Sequence, residues 1–120
     1  MEFAQVIYSH VNWRKQYCRH LEGQERLDVA VVAKDTHCEF GKWLYGEGRE
    51  HKGCPEYLTA LEKHKVFHTV AAQTLQQAET MTTEKAMDLV GLRSAFTHAS
   101  TECVAALCAL RDAVKGHDHP

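Results

Sequence analysis

The sequence is poor in the features that build a membrane-spanning or many-turned protein. Only 2 of its 120 residues are proline and 7 are glycine, which disfavours a β-rich chain with many tight turns. No apolar run reaches the length of about 18 residues that a transmembrane helix needs. The amino terminus also lacks the uninterrupted apolar stretch of a signal peptide. We therefore predict no membrane insertion.

An excess of charge of one sign is also absent. Lys and Arg together number 14 against 16 Asp and Glu, which gives a formal net charge of -2. This balance argues against nucleic acid as a partner and against a polybasic membrane patch. Hydrophobic residues make up 44% of the chain, which is enough for one packed core. We predict a single domain over residues 1–120.

Histidine and cysteine are the abundant types, with 9 His and 5 Cys. An odd number of cysteines excludes a complete intramolecular disulfide framework. A reducing cytoplasm is therefore the simplest location, and the thiols are then free, catalytic or metal-bound. Both residue types are zinc ligands.

Apolar residues recur at helical spacing over most of the chain. Long helices are predicted at residues 3–21, 55–78 and 83–114, the last with Thr83 as its cap and Leu92 on its apolar seam. A short helix is predicted to open at an N-cap formed by Asp35-Thr36 and to carry Cys38. With short connections between them, these elements predict an all-α fold, an antiparallel four-helix bundle with three long helices and one short Cys-bearing helix.

Three connecting or terminal segments are predicted from weaker signals. The apolar segment at residues 27–33 is short and fits a helix or an extended chain equally well. The segment GREHKGCP, which ends at Pro55, is predicted to be a loop. The terminal HDHP is predicted to be a frayed tail.

Three histidines are predicted to face the interior. His64 and His68 are four residues apart, so they project from one helix face, and they share the apolar seam of Leu61 and Leu75. His10 lies in the same way on the apolar stripe of the first helix. A single inward histidine is more often a core residue that has satisfied its hydrogen bonds. Three imidazoles without partners would cost about 1–3 kcal/mol each, and a shared metal ion removes that cost.

Cys38 is the natural fourth ligand. It lies at the start of the short helix, where the positive end of the helix dipole favours thiolate over thiol. Three neutral imidazoles and one thiolate form a closed set suited to tetrahedral Zn²⁺. A free cysteine is more commonly a small buried hydrophobe, and we predict that role for Cys103 and Cys108. The remaining histidines are predicted to lie at the surface or in the tail: His20, His37, His51, His98, His117 and His119.

A longer motif surrounds Cys38. Residues 38–48, CEFGKWLYGEG, resemble the C-x-[LF]-G-x-W-x-x-G-x-G segment of the chemoreceptor zinc-binding (CZB) domain. That family also carries an upstream His on its first helix and a downstream H-x-x-x-H. In this chain those positions would be His10, followed by Trp13, and the pair His64 and His68. The order of the motifs is kept, and the resemblance covers nearly the whole chain.

The resemblance implies a helical bundle with one zinc ion bound by His10, Cys38, His64 and His68. Members of this family are bacterial cytoplasmic sensor modules linked to sensing zinc and oxidants such as hypochlorous acid. They are attached to chemoreceptors or diguanylate cyclases or stand alone, and are often dimeric. The resemblance therefore implies a homodimer that signals in chemotaxis or cyclic-di-GMP pathways, as a stand-alone protein or as an excised module.

Two further positions of the motif have roles implied by the resemblance. Gly41 would allow close packing of the helix that follows Cys38, and Trp43 would fill the core beside the site. Cys38 itself would be the redox switch, because a zinc-bound thiolate is deprotonated and open to oxidation to sulfenic acid.

Three alternatives are compatible with parts of the sequence. A hydrolytic zinc enzyme needs a ligand position free for water and a nearby carboxylate, but Cys38 takes that position, so we predict that the protein is not an enzyme. A hemerythrin-like di-iron bundle would use the H-x-x-x-E pair His98 and Glu102, which face away from the predicted seam. The third alternative is a helical interaction module with incidental histidines.

Overall fold

The computed structural model describes residues 1–117, and the side chains of residues 1–115. This part of the chain contains seven α-helices, one 3-10 helix and no strand, so the prediction of an all-α fold is confirmed. The helices are α1 (Phe3–Val11), α2 (Trp13–Leu21), α3 (Val29–Val32), α4 (Glu39–Tyr45), α5 (Pro55–Ala78), α6 (Thr83–Asp88) and α7 (Ala95–His117). Their number and lengths differ from the predicted three long helices and one short helix. The predicted frayed tail, apart from His117 at the end of α7, lies outside the described residues.

The predicted first helix is interrupted at Asn12. The backbone N–H of Asn12 closes α1 on the carbonyl of Tyr8 at 2.9 Å, and the carbonyl of Asn12 accepts from the N–H of Lys15 at 3.0 Å. A new helix therefore starts at Trp13. The buried residues Val6, His10, Trp13 and Tyr17 still form one stripe across this break.

The segment between α2 and α4 contains a helix of one turn, α3. The carboxylate of Asp28 caps it by accepting from the N–H groups of Ala30 at 2.8 Å and Val31 at 3.4 Å. Such a cap satisfies donors that have no partner inside a short helix. The apolar segment left open by the sequence is thus partly helical, and it packs against α5.

The N-cap of α4 is Cys38, not the predicted Asp35-Thr36. The sulfur of Cys38 accepts from the N–H of Gly41 at 3.3 Å. Asp35 precedes the helix in a turn, where its carboxylate accepts from the hydroxyl of Tyr45 at 2.7 Å. The predicted loop after α4 contains a 3-10 helix (Glu47–His51), and Pro55 begins α5 as predicted.

The predicted fourth helix is divided into α6 and α7. Thr82, not Thr83, caps α6 by accepting from the N–H of Lys85 at 3.3 Å. The hydroxyl of Ser94 accepts from the N–H of Thr97 at 3.1 Å, which starts α7. Leu92 lies in the connection and is 85% exposed, so its predicted place on the buried seam is wrong.

α5 and α7 form the largest helix–helix contact and lie antiparallel. The ammonium of Lys63 donates to the carboxylate of Glu102 at 2.7 Å, while Cys54, at the start of α5, shares a surface cleft with Ala113 near the end of α7. The core between the helices is apolar, with Phe67, Leu75, Phe96, Cys103, Leu107 and Leu110 almost fully buried. None of the helices in residues 1–117 has the length and apolar content that crossing a bilayer requires.

Gly41 allows the first turn of α4 to pack on the preceding turn. A Cβ atom at this position would overlap the backbone carbonyl of Asp35. We expect Gly41→Ala to lower the free energy of unfolding by about 1–3 kcal/mol, as overpacking of a buried position does, and urea unfolding measures this loss. Gly53→Ala is the matched control, because a Cβ there meets no atom within 4 Å. Equal stability of the two variants would contradict the close packing that we assign to Gly41.

Candidate metal centre

Four side chains from three separate segments meet in the interior. Each offers one ligand atom, and these atoms all lie within 4.8 Å of one another. The residues are His10 on α1, Cys38 at the N-cap of α4, and His64 and His68 on α5. These are the four residues that sequence reasoning named as ligands. The side chain of each histidine is buried and that of Cys38 is half-buried.

His64 lies at the centre of this group. Its Nε2 atom is 3.1 Å from the Sγ atom of Cys38 and 3.0 Å from the Nε2 atom of His68. The ring centroid of His10 is 5.1 Å from that of His64. The i, i+4 spacing of His64 and His68 on one helix accounts for the contact between their rings.

The backbone fixes the orientation of the other two imidazoles. The Nδ1 atom of His10 lies 2.6 Å from the carbonyl oxygen of Val6, and the Nδ1 atom of His68 lies 2.8 Å from that of Val32. Because a carbonyl only accepts, both Nδ1 atoms carry the proton and donate it. Both Nε2 atoms therefore present a lone pair, which is the tautomer that a metal ion needs. A second hydrogen bond of this kind typically orients histidines that bind metals.

One polar atom of the group has no partner. The Nδ1 atom of His64 is buried and forms no hydrogen bond within the part of the chain that the structure describes. An unsatisfied buried polar group costs about 1–3 kcal/mol and is uncommon enough to indicate a functional site.

All three imidazoles are held neutral. Burial is the largest cause of the lowered pKa of His10, His64 and His68. The pKa of His64 falls to about 2, and the neighbouring His68 and His10 add to the effect of burial. Neutral imidazole is the form that binds metal ions.

The thiol of Cys38 differs from the sequence-based expectation. Burial raises its pKa and outweighs the hydrogen bond from the Gly41 N–H, which lowers it. The start of the short helix therefore does not by itself produce a thiolate. A bound metal ion supplies the positive charge that deprotonates a coordinating thiol.

Two phenylalanine rings enclose the group. The ring of Phe40 is 5.0 Å from that of His64 and 6.3 Å from that of His10. The ring of Phe67 is 5.5 Å from both His10 and His68. Both phenylalanines have no exposed surface. They form an apolar shell around the donor atoms.

Trp43 lies one layer further out than predicted. Its ring stacks on that of Phe40 at 6.0 Å and also contacts Phe3 at 5.3 Å. Phe40, which occupies the [LF] position of the motif, is the residue beside the site. Phe40 was not among the predicted site residues, although its place two residues after Cys38 was a usable signal. Nor was Val32, whose carbonyl is positioned by the α3 turn.

The remaining histidines do not join the group. The imidazole of His98 is exposed as predicted and lies 3.3 Å from the carboxylate of Glu102. His20 and His51 are half-buried and so lie less exposed than predicted. The Nδ1 atom of His20 accepts from the N–H of Leu27 at 3.0 Å, and the ring of His51 stacks on Trp43 at 5.9 Å. Cys103 is buried in the core and Cys108 is half-buried.

The family model described as the chemoreceptor zinc-binding domain, CZB, matches residues 10–75. This span covers more than half of the 120 residues and includes all four donors. The chain belongs to the CZB family. A search of curated proteins and a search of solved structures gave no match.

The donor set of this CZB domain fits the ion that the family binds. Zinc prefers imidazole nitrogen and cysteine sulfur, and structural zinc sites use four such ligands. The four residues supply three nitrogens and one sulfur within a sphere of the right size. The Nε2 atom of His64, which faces Cys38 and His68, would bind the ion, and the Nδ1 atom would keep the proton.

We expect the stability of the metal-free CZB domain to depend on pH. Its folded-state histidine pKa values are lowered, so below about pH 6.5 the unfolded chain binds protons that the folded chain does not. The free energy of unfolding is therefore highest above that pH. It decreases as the pH falls towards the folded-state pKa, which is about 2 for His64. Urea unfolding of chelator-treated protein at several pH values measures the slope. His64→Gln should reduce it, whereas His98→Gln, at a side chain that is 76% exposed, should leave it unchanged.

Proposed function

We propose that this protein is a regulatory sensor domain whose zinc ion is held by His10, Cys38, His64 and His68. The observation that carries the proposal is the meeting of these four donors within 4.8 Å in a chain of the CZB family. The backbone carbonyls that orient His10 and His68 support it, since they prepare both imidazoles for a metal ion.

Binding of a metal ion at this site would stabilise the folded chain. The ligands come from α1, from the N-cap of α4 and from α5, so they hold three segments together. A bound zinc ion supplies positive charge that keeps a thiolate stable in an apolar interior. Because a complete ligand set does not exist in an unfolded chain, the free energy of binding adds to the free energy of folding.

Cys38 is the redox switch in this proposal. It is the only one of the four donor residues that is half-buried and not buried, and in this proposal an oxidant reaches its sulfur first. The thiolate sulfur is oxidised by two electrons and hypochlorous acid is reduced: RS⁻ + HOCl gives RSOH + Cl⁻. The sulfenic acid is a weaker ligand than the thiolate, because the sulfur has lost its negative charge.

Loss of this ligand changes the packing around α4. The sulfur of Cys38 is both the donor and the cap of that helix, so its oxidation weakens two contacts at once. The sulfur of Cys38 lies 3.1 Å from the Nε2 atom of His64. When this contact is lost, the first turn of α4 is free to separate from His64. This movement is the signal that a partner would detect. The zinc level, through occupancy of the same site, would act on the same element.

A regulatory role accounts for the site better than catalysis. CZB is a regulatory zinc-binding domain, and catalytic zinc sites keep one position open for water. The group of four includes no carboxylate to act as a general base. Glu102 of the hemerythrin-like alternative is engaged on the outer side of α5 and α7 by Lys63.

The family membership supports the wider context that we propose. The protein acts in the cytoplasm as one domain over residues 1–120, with α1–α2, α4, α5 and α7 serving as an antiparallel four-helix bundle. It works as a homodimer and signals to an output protein or domain of the chemoreceptor or diguanylate cyclase type, in chemotaxis or cyclic-di-GMP signalling.

The metal content tests the first part of the proposal. We expect about one zinc ion per chain in the purified protein, since one set of four ligands binds one ion, and elemental analysis measures it. His64→Ala should reduce the zinc content to near zero, because it removes the central donor. His98→Ala, at an exposed side chain outside the group, should retain it. A wild-type chain without zinc, even after zinc is supplied, would refute the proposal.

The redox role has its own test. Hypochlorous acid should release zinc from the wild-type protein and increase amide hydrogen exchange in α4, because the oxidised Cys38 loses both contacts. Cys38→Ser should start with weaker zinc binding and show no further change on oxidation. Cys108→Ser should behave as the wild type, since Cys108 lies outside the donor group. If Cys38→Ser responds as the wild type does, the switch lies elsewhere.

A further inference from the structure

Phe40 is placed where it can control access to the donor group. Its ring meets those of His64 and His10 nearly edge to face, with interplanar angles of 81° and 80°. It has no exposed surface. Because it follows Cys38 by two residues on the same short helix, it is carried by the element that also supplies the sulfur.

The ring is itself held from behind. The ring of Trp43 stacks on it with an interplanar angle of 20°, and the ring of Phe3 packs at 6.4 Å. A side chain braced on both sides cannot swing away without disturbing α1 and α4. As long as this packing is kept, the carbon atoms of Phe40 fill the space beside His64 and His10.

The rings that Phe40 contacts belong to two of the four donors, His64 and His10. The ligand atoms of these two histidines lie within 4.8 Å of each other and of the other donors. The carbon atoms of Phe40 therefore border one side of the donor group.

We propose that Phe40 is the shielding residue of the metal centre, which keeps water and small ligands from reaching the ion and so keeps the site closed. This inference rests on the proposed function, since it concerns the same site. Shortening the side chain should convert a closed, structural type of site into an open one. In such a site, an exogenous ligand such as imidazole can bind.

The experiment uses the full chain loaded with Co²⁺, which takes the same ligand types and whose visible absorption reports its coordination. Imidazole should leave the spectrum of the wild type unchanged. It should produce a saturable change in Phe40→Ala, and transfer of zinc to a chelator should be about tenfold faster or more in that variant, the size of effect that changes around the ligands produce. Phe40→Leu, which keeps most of the bulk, should restore the closed behaviour.

Leu110→Ala is the matched control. It removes a fully buried side chain and destabilises the fold, but Leu110 lies on α7, which carries none of the four donors. Its spectrum should not respond to imidazole. If Phe40→Ala does not fold, Phe40→Val is measured instead, with the same expected response.

Two results would overturn the inference. One is a Co²⁺-loaded Phe40→Ala or Phe40→Val chain whose spectrum ignores imidazole. The other is a response of Leu110→Ala equal to that of the Phe40 variants, which would show that any loosening of the core opens the site. In both cases the wild type still binds one metal ion per chain. A wild type that binds none would instead refute the proposed function.

Discussion

The structure depends on the burial of three imidazoles and a thiol at one point of an otherwise apolar interior. Each of these groups would be better solvated in water. Their burial holds the histidines neutral, with the pKa of His64 lowered to about 2. Among the described residues, it also leaves the Nδ1 atom of His64 without a hydrogen-bond partner. A metal ion would compensate the burial of the four donor atoms, because it would accept one lone pair from each and supply the charge that stabilises a thiolate.

The rest of the fold holds these groups in place. The carbonyl of Val6, one helical turn before His10, and the carbonyl of Val32 in α3 fix two of the rings. α7 provides no donor, but it packs along α5 and secures the helix that carries His64 and His68. The site is thus built from contacts between segments distant in sequence, so a change at the site reaches α1, α3 and α4 together.

The enclosure of the site fits the proposed sensor better than an enzyme. The rings of Phe40 and Phe67 pack against the histidines, while the Cys38 residue is half-buried. A catalytic zinc site exposes the metal to substrate. In the proposed sensor, the least buried group is a ligand, so an oxidant would reach the sulfur before the ion.

Local periodicity and one short motif were enough to predict the inward direction of His10, His64 and His68 and the place of Cys38 among the donors. Local hydrogen bonds placed the breaks at Asn12 and Ser94, where the apolar pattern continues without interruption. Tertiary structure decided the rest. Only packing between segments puts Phe40 beside His64, moves Trp43 one layer outward, and lets burial raise the pKa of Cys38 against the pull of the helix terminus. The physical reason is that desolvation and ring contacts depend on neighbours far away in the chain, which no local pattern specifies.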